Sequence, residues 1–249
     1  MANTGNESAR LIRPAWLATL VLVGTIGLLA LWLRSGLIGA EQWPIRWLDI
    51  DGELRRASAS QIRAAVARPA QRGFFGADLG EVRAAVEGLP WVARAEVSRH
   101  WPDALLVRVT EHRPVARWND RRLLSDQGEE FDVDGSDGMQ GLARLHGPQA
   151  LRSEVFETWQ QMRRRLAGAG LDIVRLEVDA RGAWQARLDT GLTVIFGREN
   201  IHERLARFLS VYPALQRDER RPERIDMRYT NGLAVRWRQS SSGVSEQHG

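Results

Sequence analysis

The chain has 249 residues, 43% hydrophobic and 27% charged, enough for one or two domains with a sizeable core. It has no Cys, which excludes disulfides, thiolate metal sites and Cys nucleophiles. All 35 basic residues are Arg and the net charge is only +4, so the pI of about 10.6 reflects the basicity of Arg and is no argument for nucleic-acid binding.

Residues 1–14 form a short polar tail. From Ala15 to Leu33 (AWLATLVLVGTIGLLALWL) there is no charge. Nineteen residues at ~1.5 Å each span roughly 28 Å, close to the ~30 Å hydrocarbon core of a bilayer. Trp16 and Trp32 mark its two ends, where indole rings favour the headgroup boundary. The run is longer than a signal-peptide core, and Ile38-Gly39-Ala40 is a poor cleavage site. The expectation is a single uncleaved transmembrane helix over 15–34. Arg10 and Arg13 precede it, so the positive-inside rule puts the amino terminus in the cytoplasm and the rest across the membrane.

After a linker, Ile45 to Ile50 reads as a strand. Ser58-Ala59-Ser60 can cap a helix that Pro69 stops, and Gly73 to Gly76 reads as a loop. Asp78 with Glu81 fits a capping box ahead of the stripe Leu79, Val82, Val86, Leu89. Val92 to Arg99 and Leu105 to Glu111 alternate as strands. The order β-α-α-β-β over 45–113 is the plan of a POTRA domain, two helices on a three-stranded sheet, an order that other small α+β units share.

From 114 to 239 the pattern predicts a β-rich domain with two helices, α+β overall. PVARW and RRLLSDQGEEFD are strand-like, the second bent at Asp126-Gln127-Gly128, and a polar loop and then GLARLHGP follow. A helix covers roughly 151–167, with Val155, Trp159, Met162 and Leu166 on one stripe. IVRLEVD, AWQARLD and LTVIFG are three further strands. Asn200 and Glu203 suggest another capping box, for a helix ending at Pro213. In DMRYTNGLAVRW, apolar and polar residues alternate about Asn231-Gly232, a strong hairpin signal. Residues 240–249 are polar and Ser-rich, a disordered tail by composition.

The five His have no i,i+3 or i,i+4 pair, and no nucleophile elbow, phosphate loop or dinucleotide fingerprint is present. No catalytic, cofactor or metal residue is therefore nominated. Arg163-Arg164-Arg165 reads first as solvated helix surface and second as a contact for an acidic partner or lipid headgroups. The last hairpin leaves two readings open. Tyr229 and Trp237 share a face with Met227, Leu233 and Val235, which either packs on the core or offers two aromatics to an added strand.

Several stretches together resemble the bacterial cell-division family FtsQ/DivIB. These are Pro90-Trp91-Val92 with the hairpin that follows, Trp118 with LLSDQGEEF, LHGP, Trp184 with FGRENIHERLARFLSVYPAL, and IDMRYTNGLAVRW. The resemblance implies a non-catalytic inner-membrane scaffold with both folded domains in the periplasm. It implies binding to FtsB and FtsL, and contacts with FtsK, FtsW and FtsI at the septum. On the same resemblance the FtsB-facing positions are Arg181, Arg228, Tyr229, Asn231, Gly232 and Trp237, and no cofactor is implied. A POTRA-bearing chaperone and an anchored cell-wall hydrolase are the competing classes.

Overall fold

A computed structural model describes residues 15–34, 43–230 and 232–238. The tail 1–14, most of the expected linker, Asn231 and the end 239–249 lie outside the described residues. The first helix, α1, is Ala15–Arg34. Its side chains are described over 18–31, all exposed. Among the described residues, which for the side chains of α1 are 18–31, no helix is long and apolar enough to cross a membrane, so the expected span over 15–34 is not shown. The chain divides into two compact units between Glu111 and His112.

The first unit contains β1 (Trp47–Asp51), α2 (Ala59–Ala70), α3 (Gly73–Gly76), α4 (Leu79–Glu87), β2 (Val92–His100) and β3 (Ala104–Glu111). β3 is the central strand, parallel to β1 and antiparallel to β2. Leu105, Val107 and Val109 on one face of β3 pack with Ile62 and Val66 of α2 and with Val82 and Val86 of α4. The POTRA plan is thus realised as a two-layer module.

Local signals govern most helix starts here. Ser58 caps α2 in a reciprocal box with Gln61. Asp78 accepts from the N–H groups of Gly80 and Glu81 at 2.7 and 3.4 Å. Glu81 does not complete the expected box, because its carboxylate pairs with Arg72 at 3.2 Å. Two further expectations fail locally. Gly73–Gly76 is one helical turn rather than a loop. Pro69 lies inside α2 instead of stopping it, since in the last turn it forfeits only one backbone donor.

The second unit is one nine-stranded sheet. Its strands are β4 (Pro114–Trp118), β5 (Arg122–Ser125), β6 (Glu130–Phe131), β7 (Ala143–His146), β8 (Ile173–Val178), β9 (Trp184–Leu188), β10 (Thr193–Gly197), β11 (Pro222–Asp226) and β12 (Ala234–Trp237). Their order is β12-β11-β10-β9-β8-β7-β4-β5-β6. Helices α5 (Arg152–Ala167) and α6 (Ile201–Leu215) supply Val155, Trp159, Met162 and Leu166, and Leu205, Phe208 and Tyr212, to a core shared with the strands. Most of the period-2 and period-3.6 apolar residues of the sequence are buried here.

α6 departs from its expected ends. Asn200 has φ 52 and makes no side-chain cap, because a left-handed backbone turns its amide away from the helix N–H groups. Pro213 lies inside the helix, which continues to Leu215 because the Gln216 N–H still reaches the Tyr212 carbonyl at 3.0 Å. At the start of the unit, His112 stacks on Phe131 with centroids 4.2 Å apart. Desolvation there lowers the imidazole pKa, against a smaller opposing pull from Glu129.

Candidate partner-binding edge

β10, α6 and β11 form a parallel crossover, with Val194 registered on Ile225 and Ile195 on Asp226. β12 then folds back antiparallel on β11, pairing Ala234 with Asp226, Val235 with Ile225, Arg236 with Arg224 and Trp237 with Pro222. Among the described residues β12 has a strand on one side only. The opposite edge, β6, is two residues long, and Glu130 in it is tied to Arg152 at 2.7 Å and Gln149 at 2.9 Å.

The open side of β12 can be assigned residue by residue. The Arg238 N–H donates inward to the Arg221 carbonyl at 2.9 Å. In an antiparallel pair both backbone groups of a residue point the same way and alternate along the strand. Arg236 and Ala234 therefore also face β11, and Val235 and Trp237 direct N–H and C=O outward. That is the array an extended peptide uses to add to a sheet.

The hairpin differs from the sequence expectation. Asp226 pairs with Ala234, so the connection runs from 227 to 233 and Asn231-Gly232 is not a tight two-residue turn. The first strand lies upstream, at Pro222–Asp226, where burial of Ile225 against β10 fixes it. Met227 continues inward, its N–H donating to Ile195 O at 2.9 Å and its side chain fully buried.

Two arginines hold this connection. The Arg207 guanidinium, from α6, donates to the carbonyls of Thr230, Met227 and Tyr229 at 2.6, 3.0 and 3.0 Å. Arg228 donates through Nε and Nη2 to the Asp226 carboxylate at 2.9 and 2.6 Å, and its backbone N–H donates there too at 3.0 Å. Arg228 beside it holds the Asp226 carboxyl below the usual range. Gly197 allows the close approach: its φ is +76, and a Cβ there would lie 2.8 Å from Arg204 and 2.9 Å from Arg228.

The Asp226 linkage has a definite sign. A carboxyl whose folded pKa is depressed adds stability above its unfolded pKa and loses it as pH falls through the folded value. We expect Asp226→Asn to cost about 1 kcal/mol at pH 7, discounted because Arg228 is exposed. Thermal melts of both proteins should converge as pH falls below about 4. A gap that persists at pH 2 would contradict this role for the pair.

The nominated residues fall into three groups. Of the residues on the Met227 face, Tyr229 and Trp237 both lie outside the core cluster, although Trp237 alternates in step with Leu233 and Val235. Met227 is buried, and Leu233 and Val235 are partly buried against the core. Tyr229 is 59% exposed, and Trp237 is half-buried outside the core cluster. Gly232 has open space around it. Arg228 is directed to Asp226, and Asn231 lies outside the described residues.

Arg181 is apart, in the exposed β8–β9 turn, where Asp179 accepts from the N–H groups of Arg181 and Ala183, both at 2.8 Å. The backbone N–H of Ala183 is the main reason the Asp179 carboxyl titrates low. β10 and β11 separate β9 from β12, about 14 Å at ~4.8 Å per strand. The registers place this turn at the Ala234 end of β12 and Trp237 at the other.

Residues the sequence did not nominate complete the edge. Nothing in the sequence marks Arg207 or Arg220 out from the other arginines. In the fold Arg220 lies 4.5 Å over the Trp237 ring. Beside it is a cleft of about 330 Å³ lined by Thr190, Leu192, Tyr212, Leu215, Arg220 and Pro222, large enough for a partner side chain. No group of three or more His, Asp or Glu able to hold a metal occurs among the described residues.

Residues 116–228 match the family model described as "Cell division protein FtsQ/DivIB, C-terminal", and residues 43–112 match "POTRA domain, FtsQ-type". The chain is 39% identical over 233 residues to the cell division protein FtsQ of Xanthomonas campestris pv. campestris, covering 93% of this chain and 84% of the relative. It is 37% identical over 205 residues to that of Shewanella oneidensis, covering 82% and 78%, and 36% identical over 194 residues to that of Allochromatium vinosum, covering 78% of each. With two family domains in tandem and this likeness along almost its whole length, the chain belongs to the FtsQ/DivIB family of cell-division proteins.

Proposed function

We propose that this chain is a non-catalytic scaffold of the division machinery. It is held in the inner membrane by α1, with its amino terminus in the cytoplasm and both folded units in the periplasm at the septum. Its β12 edge binds FtsB, in complex with FtsL, and the chain links early and late division proteins, FtsK, FtsW and FtsI among them, to control septal peptidoglycan synthesis. The observation that carries the reading is the open side of β12, flanked by an exposed Tyr229 and a half-buried Trp237.

Support for the anchor comes from α1 itself. Its 20 residues are uncharged up to Arg34, and Leu20, Leu28 and Leu31 are 63, 68 and 67% exposed. So continuous an apolar surface is costly in water and favourable in lipid. Arg181 and Arg228 stand at the Ala234 end of the edge and Trp237 at the other. A partner strand would lie along β12 and continue past the end of the sheet.

The test is purification of the full chain from membranes, with its partners identified by mass. FtsB and FtsL should co-purify in stable complex. Recovery without them, or sustained hydrolysis of peptidoglycan by the chain, would overturn the reading.

A further inference from the structure

Four exposed aromatic residues are carried by segments that meet at one end of the POTRA module, and the proposed function does not use them. Trp43, Trp47, Phe75 and Trp101 are 42, 66, 54 and 74% exposed. Outside α1, the large apolar side chains exposed among the described residues are these four, Val174 and Tyr229. Rings of this size are normally buried, so the concentration of four at one place points to a surface that is covered in use.

Their proximity follows from backbone contacts. The N–H groups of Arg46 and Trp47 donate to the Asp103 carbonyl at 2.9 and 3.3 Å, which sets the start of β1 against the turn carrying Trp101. His100 and Trp47 both register on Ala104. Arg99, next along β2, donates to the carbonyls of Phe74 and Ala77 at 2.7 and 2.6 Å, which brings α3 to the same end. The Phe74 N–H donates to Trp43 O at 2.8 Å, and the Trp43 and Phe75 rings meet edge to face at 5.7 Å. The side chains of Arg46 and Arg72, at 70 and 60% exposed, belong to the same end, Arg46 at 3.9 Å from Asp103 and Arg72 at 3.2 Å from Glu81.

We propose that this end of the POTRA module docks into the headgroup layer of the bilayer that holds α1, with Trp47, Phe75 and Trp101 as its wedge and Arg46 facing anionic lipid. The proposal rests on the membrane anchorage proposed above. Chain length argues for the occupant: nine Cα–Cα steps separate Arg34 from Trp43, a reach of at most about 32 Å. Residue type argues for the depth. Trp combines an apolar ring with an N–H donor, a pairing favoured at the boundary between hydrocarbon and water. Arg with Trp is the chemistry of an interfacial anchor on anionic lipid. The docked module would be held at the membrane by two attachments instead of one, and its rotation about the anchor would be restricted.

The chain has no Cys, so a nitroxide can be placed at one site at a time. The full chain is reconstituted in nanodiscs of phosphatidylethanolamine and phosphatidylglycerol. Labels are carried in turn by His100→Cys beside the patch, Glu53→Cys at the opposite end of β1, and Gly27→Cys in α1. The ratio of oxygen to nickel-chelate accessibility at 100 should exceed that at 53 by at least about twofold, as for a site in the headgroup layer. It should fall to the value at 53 when Trp47→Ser, Phe75→Ser and Trp101→Ser are combined. A hydrocarbon-like label at 27 with a fully aqueous label at 100 would overturn the docking and leave the anchor intact. An aqueous label at 27 would overturn the anchor and the docking with it. Shielding at 100 only when other division proteins are added would assign the patch to a protein and overturn the proposal.

Discussion

Trp237→Ala is expected to weaken FtsB binding by at least about 30-fold, or ~2 kcal/mol, while the melting temperature moves by less than about 5 °C. The two effects separate because Trp237 is outside the core cluster. Its ring contributes the Arg220 stack, which at an exposed site is worth about 0.5–1 kcal/mol. Tyr229→Ala should behave alike, since its ring is exposed and only its carbonyl is held. Met227→Ala is the contrasting case. It empties a fully buried position two residues from Tyr229, at the cost of ~2–5 kcal/mol in stability typical of a large-to-small core change. Calorimetric titration with FtsB alongside thermal melts checks all three. Unchanged affinity in the Trp237 and Tyr229 variants would remove the partner assignment, and loss of fold in both would return these rings to the core.

Arg207→Ala should be the second large effect. Three carbonyls, of Met227, Tyr229 and Thr230, converge on one guanidinium. Hydrogen bonds to a charged group contribute about 1.5–3 kcal/mol each when sheltered, less where solvent reaches them. The two bonds to Thr230 and Tyr229 are exposed, so we expect about 2 kcal/mol in total. The cost should fall locally, on the 227–230 segment, because Met227 remains anchored through Ile195. Partner affinity should then drop at least about tenfold because the segment must be ordered again on binding. Arg207→Lys should recover little of this, since one ammonium cannot reproduce the fork. Affinity restored by Lys would show that charge alone matters and contradict the clamp.

The sequence made the elements legible and left their junctions obscure. Period-2 and period-3.6 stripes located the strands and helices because burial selects those spacings directly. Ser58 and Asp78 were readable as caps because an extended residue aims its oxygen at the helix N–H groups. Asn200 carries the same chemistry on a left-handed backbone and does not cap. Glu81 was read within its own helix, but Arg72 reaches it from the preceding element. The closing hairpin shows the limit most clearly. Asn-Gly signals a tight turn only when nothing else fixes the register. Here Ile225 packs against β10 and Met227 against the core, which pulls the first strand upstream.

At the edge itself, Tyr229 and Trp237 are nominated by family resemblance and the alternation of their strand, whereas nothing in the sequence nominates Arg207 or Arg220. An arginine that caps carbonyls 20 or more residues away carries no local signature. Arg181 was nominated by resemblance, and the fold puts it at the same end of the sheet as Tyr229 but several strands from β12. Neither placement could be read from spacing, because both depend on the order in which β9 to β12 line up.

Amide exchange at β12 tests the central claim most directly. In the free chain the N–H groups of Arg236 and Arg238 should be protected by β11, while those of Val235 and Trp237 exchange freely. Adding FtsB should protect Val235 and Trp237 and leave the other two as they were. Val235 and Trp237 already protected in the free chain, or still exchanging freely in the complex, would contradict strand addition at this edge.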